Sequence, residues 1–430
     1  MLIRNPYKQL LRTRHAGVLP NGMRYVVDEA LCAASTACGL WVNAGARDES
    51  AHEAGSAHLI EHLCFKSAAG VPGAEIVKRV EGVGGNVNAE TSHDYTSYYA
   101  HVLNTDVELA LSTLADLAFK PDFYERHLDL EKQVVVSEIA EASDDPDSIV
   151  ADTLQHACFG EASLGRSILG QAANITDISL NDLAGFHGRY YRPENIVVAV
   201  SGGASLSSVV DCIERVFGAF QSHGDRPDRD ETTCHPRPGF EFHGERRFVE
   251  KDLDQSQLGF GWVLPFGNLQ KALCVRAVSE ILGGGMASRL FQHLREEKGL
   301  VYSVDASIDR YVDGEILNIY AAVDQRHTDQ VAEVVLGSLK ELASNVTHEE
   351  VARAKSVLKA NFVMAAENPM ARIDANASRL LGENPLLDGE EIIEAIDCIT
   401  MAGIADVVSA AAASDVALAG VGKQMPSAFL

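Results

Sequence analysis

Three side chains that could bind and use a metal ion lie close together in the N-terminal part of the sequence. His58, Glu61 and His62 stand in a segment rich in helix-forming residues. At about 100° per residue, an α-helix would place all three on one face roughly 100° wide. Histidines one turn apart can each present a ring nitrogen to a single Zn²⁺, and the carboxylate between them can take a proton from water held at the metal. The spacing therefore predicts a hydrolytic zinc site, whereas the simpler interpretation is a polar helix face with two solvated histidines.

A zinc site of this kind needs a third protein ligand, and the pattern H-x-x-E-H is that of inverzincin peptidases. Residues 125–142 read as a second helix, on which Glu131, Glu138 and Glu141 are spaced at seven and three so that they share a face. An acidic helix face is usually only solvated. Next to the histidine motif, however, this face offers a candidate for the missing ligand.

The elements around this site are repeated along the chain. Glu131 corresponds to Ala354 and Pro146 to Pro369, a constant offset of 223 residues, and a second pair of similar segments follows at an offset of 221. Between the repeats, residues 221–239 contain three prolines and almost no apolar residue, which is typical of a linker. Internal duplication is the preferred interpretation, although short similarities also arise by chance in alanine-rich helices.

Hydrophobic patterning gives both halves strands and several long helices, with strands over residues 37–42, 95–102 and 197–200. The sequence thus predicts an α+β fold of two duplicated halves, each a mixed or antiparallel sheet with helices packed on it. The predicted organisation is an N-terminal zinc-binding domain (1–220), a linker (221–239) and a homologous C-terminal domain (240–430).

The charge of the chain limits the kinds of partner it could bind. Its 430 residues include 36 basic and 61 acidic side chains, for a formal net charge of −25. Such a surface repels the phosphates of nucleic acid and anionic lipid, and it favours a basic substrate. The chain shows no apolar run typical of a secretion signal or a membrane span, and its eight cysteines form no Cys-x-x-Cys pair. We therefore expect a cytoplasmic protein that binds neither nucleic acid nor membrane.

Taken together, these features strongly resemble the pitrilysin/insulinase family of zinc peptidases. Within this family, the chain resembles the subfamily that is similar to mitochondrial processing peptidase, and in particular its bacterial-type members of about the same length. Residues 19–23 look like the family's opening strand turn, and residues 41–49 like its approach to the zinc helix. Glu138 follows His62 after 75 intervening residues, as the family's third ligand does, and Glu131 stands seven residues earlier, where the family has a supporting glutamate.

The resemblance implies a complete metal site and a particular architecture. One Zn²⁺ per chain would be held by His58, His62 and Glu138, with Glu61 as the general base toward water at the metal and Glu131 as support. The two halves would be α/β rolls, arranged as a clamshell that encloses its substrate in a chamber.

The second half differs from the first at the residues that would hold metal. Asn361 stands where the first half has Glu138, and no H-x-x-E-H segment precedes it, so the C-terminal domain is expected to be metal-free. It has instead a glycine-rich stretch at residues 283–290, followed by Arg295 and Tyr302. By themselves these residues could be a turn and a surface cation. They resemble the family's Arg/Tyr pair, seven residues apart, which would contact the substrate and steady its carbonyl as the oxygen gains charge.

Asn88, Ala89 and Glu90, followed by Thr91, resemble the family's substrate-binding edge strand, Asn-Ala-x-Thr. An extended peptide can add itself to such an edge through main-chain hydrogen bonds. The alternative is an ordinary hairpin, which an internal strand would favour. Relatives often have an aromatic residue where this chain has Glu90, and a carboxylate beside the cleavage site would favour a basic substrate residue.

The sequence therefore predicts a zinc endopeptidase that cleaves peptides or flexible precursor segments. A homodimer would complete the chamber, with the Arg/Tyr pair of one chain facing the zinc site of the other, and a heterodimer with a related chain is the alternative assembly. Two other functions remain open: a catalytically silent partner subunit of a peptidase heterodimer, and a metal-dependent peptide chaperone. The physiological substrate could be a small ribosomally made precursor or oligopeptides in general.

Overall fold

The computed structural model describes residues 13–30, 32–221 and 239–429. Most of the predicted linker, residues 222–238, lies outside the described residues. The strands are β1 (Thr13–Val18), β2 (Arg24–Glu29), β3 (Ser35–Val42), β4 (Ser67–Ala68), β5 (Val71–Pro72), β6 (Asn86–Thr91), β7 (Thr96–Leu103), β8 (Ile196–Gly202), β9 (Arg246–Glu250), β10 (Gln255–Leu264), β11 (Val301–Arg310), β12 (Glu315–Asp324) and β13 (Val416–Gly422).

The α-helices are α1 (Ser56–Cys64), α2 (Gly73–Glu81), α3 (Val107–Phe119), α4 (Glu125–Asp144), α5 (Pro146–Phe159), α6 (Ala172–Asp177), α7 (Leu180–Tyr190), α8 (Leu206–Phe217), α9 (Leu269–Leu282), α10 (Thr328–Asn345), α11 (His348–Glu367), α12 (Pro369–Leu381), α13 (Gly389–Asp397) and α14 (Met401–Ala412). Residues Phe291–Glu297 form a short π-helix. No helix within the described ranges is both long enough and apolar enough to span a bilayer. The predicted α+β class is confirmed.

The two large sheets share one topology. The first has the strand order β1-β2-β8-β3-β7-β6, and the second has the order β11-β12-β10-β13-β9. In the first sheet, β2 and β8 are parallel, and the pairs that follow toward β6 are antiparallel. In the second sheet, β9 and β13 are parallel, and the pairs that follow toward β11 are antiparallel. Helices α4 and α11 each have 20 residues and begin 223 positions apart, the offset found in the sequence. The topology and the helix lengths agree with the predicted duplication.

The chain forms two compact units. Unit 1 consists of Met1–Ile139, Ser167–Pro238 and Val363–Gly389, and unit 2 of Ala140–Arg166, Gly239–Phe362 and Glu390–Leu430. Each unit therefore contains one helix from the other half of the sequence, α12 in unit 1 and α5 in unit 2. The predicted domains, 1–220 and 240–430, are each continuous along the chain. Each compact unit is instead built from three separate segments of the sequence.

Burial of apolar side chains explains this exchange of helices. In unit 1, Ile373 and Ala377 of α12 pack against Trp41, Val197 and Ala199 on one face of the sheet. The opposite face of β8 packs into the main core of the unit, so the whole strand is buried. A strand covered on both faces has a continuous apolar run, as residues 197–200 show.

In unit 2, α5 covers one face of the second sheet in the same way. Val150 and Leu154 pack in a core with Ala417, Ala419 and Val421 of β13. Each sheet thus has one face covered by a helix that is distant in sequence.

Candidate metal centre

Helix α1 has a firmly held N-terminus. Gly55, which precedes it, has φ of 95°, a backbone conformation that favours glycine. The carboxylate of buried Glu49 accepts hydrogen bonds from the backbone N–H groups of Gly55 (2.9 Å) and Ala57 (2.7 Å). These bonds satisfy donors that a helix N-terminus otherwise leaves unpaired. A negative charge there also interacts favourably with the positive end of the helix dipole.

The two faces of α1 differ in burial and therefore in role. Leu59, Ile60 and Leu63 are fully buried in the core of unit 1. His58 and His62 lie on the other side, with their rings 4.6 Å apart between centroids. The apolar residues thus fix the rotation of the helix, and this rotation brings the histidines toward α4.

Helix α4 supplies a carboxylate to the two histidines. Leu128 and Val135 anchor it in the same core. The Oε2 atom of Glu138 lies 3.9 Å from His58 Nε2 and 3.7 Å from His62 Nε2. One ligand atom from each of these three residues lies within 4.8 Å of the others, and no comparable group of His, Cys, Asp or Glu occurs elsewhere in the described parts of the chain.

The ring nitrogens of the two histidines suit metal binding. Burial, together with the neighbouring His62, lowers the pKa of His58 to about 4, so its imidazole is neutral at neutral pH. His62 Nδ1 lies 3.0 Å from a carboxylate oxygen of Glu131, which can only accept a hydrogen bond. This contact favours the tautomer with its hydrogen on Nδ1, which leaves Nε2, the ring nitrogen 3.7 Å from Glu138 Oε2, available to bind a metal. Two imidazole nitrogens and a carboxylate form a typical donor set for zinc, so the residues fit this metal.

Glu61 lies beside this group of ligands and is held by a neighbouring strand. Its Oε2 accepts a hydrogen bond of 2.6 Å from the hydroxyl of Thr91 in β6. Burial raises the pKa of Glu61 above its ordinary value, and the charges of Glu90 and Glu138 add to this, while the Thr91 bond and His62 oppose it. A carboxyl group whose pKa is raised toward neutrality is well suited to accept and return a proton.

Strand β6 lies at the edge of the first sheet. Among the described strands it pairs only with β7, so its outer main-chain groups face away from the sheet. Asn88 and Glu90 are exposed, whereas Ala89 between them is 8% exposed and packs in the core. The alternative of an internal hairpin strand does not hold for the described residues.

Arg295 and Tyr302 belong to unit 2, whereas the histidines and the glutamates belong to unit 1. Arg295 is part of the π-helix, and its guanidinium lies 4.9 Å from the ring centroid of Phe291 and 5.8 Å from that of Tyr302. Tyr302, in β11, is 70% exposed. The structure thus brings Arg295 and Tyr302 together at an exposed position. Asn361 lies in α11, the counterpart of α4.

Three residues near the centre were not identified from the sequence in these roles. They are Glu49 at the start of α1, Thr91 beside Glu61, and Lys66, whose Nζ lies 2.8 Å from Glu131 Oε1. For Lys66 a signal existed, because it stands four residues after His62. Glu49 ends the segment 41–49 that resembles the family's approach to the zinc helix, and Thr91 ends the Asn-Ala-x-Thr segment. Only the fold shows the hydrogen bonds that these two residues make.

Comparison with protein families gives two adjacent matches. Residues 25–172 match the family described as Insulinase (Peptidase family M16), and residues 177–358 match the Peptidase M16 inactive domain. The second match covers a part of the chain that lacks the H-x-x-E-H segment.

Relatives of similar length are known. An uncharacterized zinc protease of Bacillus subtilis is 33% identical over 403 residues, which are 93% of this chain and 96% of the relative. An uncharacterized zinc protease of Mycobacterium tuberculosis is 34% identical over 359 residues, which are 83% of this chain and 81% of the relative.

Solved structures share the fold. A protease from Helicobacter pylori matches with a TM-score of 0.85 and 21% identity, covering 96% of this chain and 100% of that one. A peptidase M16 inactive domain from Pseudomonas fluorescens matches with a TM-score of 0.86 and 20% identity, covering 96% and 99%.

Proposed function

Because the chain belongs to the insulinase family of peptidases, M16, we propose that it is a zinc-dependent endopeptidase. The observation that carries this proposal is the convergence of His58, His62 and Glu138 in unit 1, with Glu61 beside them. The relatives described above are named zinc proteases, which supports the same metal.

His58, His62 and Glu138 would hold one Zn²⁺ per chain. When bound, the metal would polarise the scissile carbonyl and lower the pKa of a water to about 7. Glu61 takes the proton of the attacking water and then returns it to the leaving amine. Thr91 holds the carboxylate of Glu61 in place for both transfers.

The open edge of β6 would bind the substrate. An extended peptide adds to the strand by main-chain hydrogen bonds, with Asn88, Ala89 and Glu90 alongside it. Thr91, which holds Glu61, is the next residue of the same strand. A peptide aligned with β6 is thereby aligned with the general base, which favours cleavage at a defined bond.

Arg295 and Tyr302 would stabilise the negative charge that develops on the substrate carbonyl. One chain carries both this pair and the metal ligands, so a homodimer would let each chain complete the site of its partner within an enclosed chamber. A heterodimer with a related chain is the alternative assembly, and a catalytically silent partner subunit is the alternative function. The complete ligand set and the general base count against a silent subunit.

The decisive experiment compares zinc content with hydrolysis in three variants. The wild type is expected to bind about one zinc and to hydrolyse flexible peptides, with loss of activity on chelation. Glu61→Gln should keep zinc and lose hydrolysis, because Glu61 is not a ligand. Glu138→Gln should lose zinc affinity, while Glu141→Gln, an exposed position on the same helix, should change neither.

Two results would count against the proposal. Full hydrolysis by Glu61→Gln would exclude Glu61 as the base. A wild type that binds zinc but cleaves none of a broad set of unstructured peptides would instead indicate the silent subunit.

A further inference from the structure

Lys66 contacts the same buried carboxylate as the histidine ligand His62. Its Nζ lies 2.8 Å from Glu131 Oε1, while Glu131 Oε2 lies 3.0 Å from His62 Nδ1. The Glu131 side chain is 3% exposed, whereas that of Lys66 is 42% exposed. The three side chains thus form a chain of contacts, from the partly exposed Lys66 through the buried Glu131 to the imidazole of His62.

Two contacts fix a carboxylate better than one. A carboxylate bonded only to His62 could rotate about its terminal bond, because nothing would hold its second oxygen. With the Lys66 ammonium 2.8 Å from Oε1, both oxygens are engaged, because one faces the His62 ring and the other forms an ion pair. Lys66 also compensates the charge of Glu131, since an unpaired buried carboxylate is costly.

His62 depends on this support more than His58 does. The Nδ1 atom of His58 is buried and has no hydrogen-bond partner among the described residues. Nothing therefore orients the ring of His58 through Nδ1 among the described residues, whereas the ring of His62 is oriented by Glu131. A disturbance at Glu131 would reach the metal centre through His62.

We propose that Lys66 is a positioning residue of the metal centre, which fixes Glu131 and through it the orientation of His62. The inference rests on the proposed function in one respect, namely that His62 is a zinc ligand. It assigns Lys66 no contact with substrate or metal.

The test measures zinc affinity directly. Lys66→Met keeps most of the apolar stem and removes the charge. Competition with a chromogenic chelator should show that this variant's zinc dissociation constant is about tenfold higher, the lower end of the range for lost outer partners of metal-bound histidines. Lys66→Arg should restore most of the affinity, because the guanidinium keeps the charge and the donors.

Two controls separate positioning from a general effect on folding. Lys120→Met removes a comparably exposed lysine that pairs with Asp116 at 3.1 Å, and it should leave zinc affinity unchanged. In a Glu131→Gln background, Lys66→Met should have little further effect, because the two residues act in series. The visible absorption of the Co²⁺-substituted protein should change in Lys66→Met and return toward the wild type in Lys66→Arg.

The possible outcomes distinguish this inference from the proposed function. Wild-type zinc affinity and an unchanged Co²⁺ spectrum in folded Lys66→Met would overturn the role of Lys66 and leave the peptidase proposal intact. If Lys66→Met does not fold, equal zinc affinities for the folded Lys66→Gln variant and the wild type would overturn it as well. A wild type that binds zinc but hydrolyses no peptide would overturn the proposed function, while the affinity test of Lys66 would still apply.

Discussion

The stability of unit 1 should depend on pH through His187, a largely buried histidine outside the candidate metal centre. Its Nε2 lies 2.8 Å from the carbonyl oxygen of Ala118, and its ring stacks on Tyr191 at 4.3 Å and meets Phe123 edge-on at 5.6 Å. Burial lowers the pKa of His187 from 6.5 to about 4, although the bond to Ala118 opposes this. The folded protein therefore holds the imidazole neutral.

The direction of the effect follows from proton binding in the two states. Above pH 6.5, both the folded and the unfolded state hold His187 neutral. As the pH falls from 6.5 to 4, the unfolded state binds a proton that the folded state excludes, so the free energy of unfolding falls. At 1.36 kcal/mol per pKa unit, the whole window is worth about 3 kcal/mol, and the step from pH 7 to pH 5 about 2 kcal/mol.

The measurement compares urea unfolding of His187→Gln with that of the wild type at pH 7 and pH 5, both without metal. Glutamine can still donate to Ala118 but does not titrate. A Trp262→Phe background leaves Trp41 as the single tryptophan, so its fluorescence reports on unit 1. Between pH 7 and pH 5 the wild type should lose about 2 kcal/mol more than the variant. Equal losses would show that folded His187 accepts a proton without penalty and would refute the reasoning.

Two further predictions concern substrate and assembly. If Glu90 beside the cleavage site selects basic residues, Glu90→Gln should lower the kcat/KM advantage of an arginine-containing peptide over its glutamine analogue by about two- to fivefold, the range for an exposed ion pair, and salt should reduce the wild-type advantage. A preference for acidic peptides would contradict it. For a homodimer with shared sites, mixing the inactive variants Glu61→Gln and Arg295→Ala should restore about a quarter of wild-type activity, since half of the dimers are mixed and each has one intact site. No recovery despite proven subunit exchange would exclude shared sites.

Local sequence patterns were sufficient for the parts of the site that lie on one element. His58, Glu61 and His62 share a face of α1 because helical geometry alone determines their angular positions. The spacing of Glu131 and Glu138 likewise followed from a single helix. That α4 contacts α1 through Glu138 was anticipated from a family resemblance, since no pattern within either helix specifies the other.

Contacts between distant elements could not be derived in this way. The bond from Thr91 to Glu61 and the ion pair from Lys66 to Glu131 depend on how a strand and two helices pack. The exchange of α5 and α12 was also missed, because an apolar helix face indicates that the helix is buried but not which sheet buries it. The duplication predicted helices packed on each sheet, and α5 and α12 each pack on the sheet formed by the other half of the sequence.

The exchanged helix α12 has a consequence for how the protein is made. The sheet of unit 1 is complete once β8 ends at Gly202, yet the helix that covers Trp41, Val197 and Ala199 ends only at Leu381. At about 5–20 residues per second, a ribosome needs roughly 10–40 s to synthesise the chain between these points. During that interval the nascent N-terminal half presents an uncovered apolar sheet face, the type of surface to which chaperones bind. Folding of unit 1 is thus completed only after α12 has been synthesised.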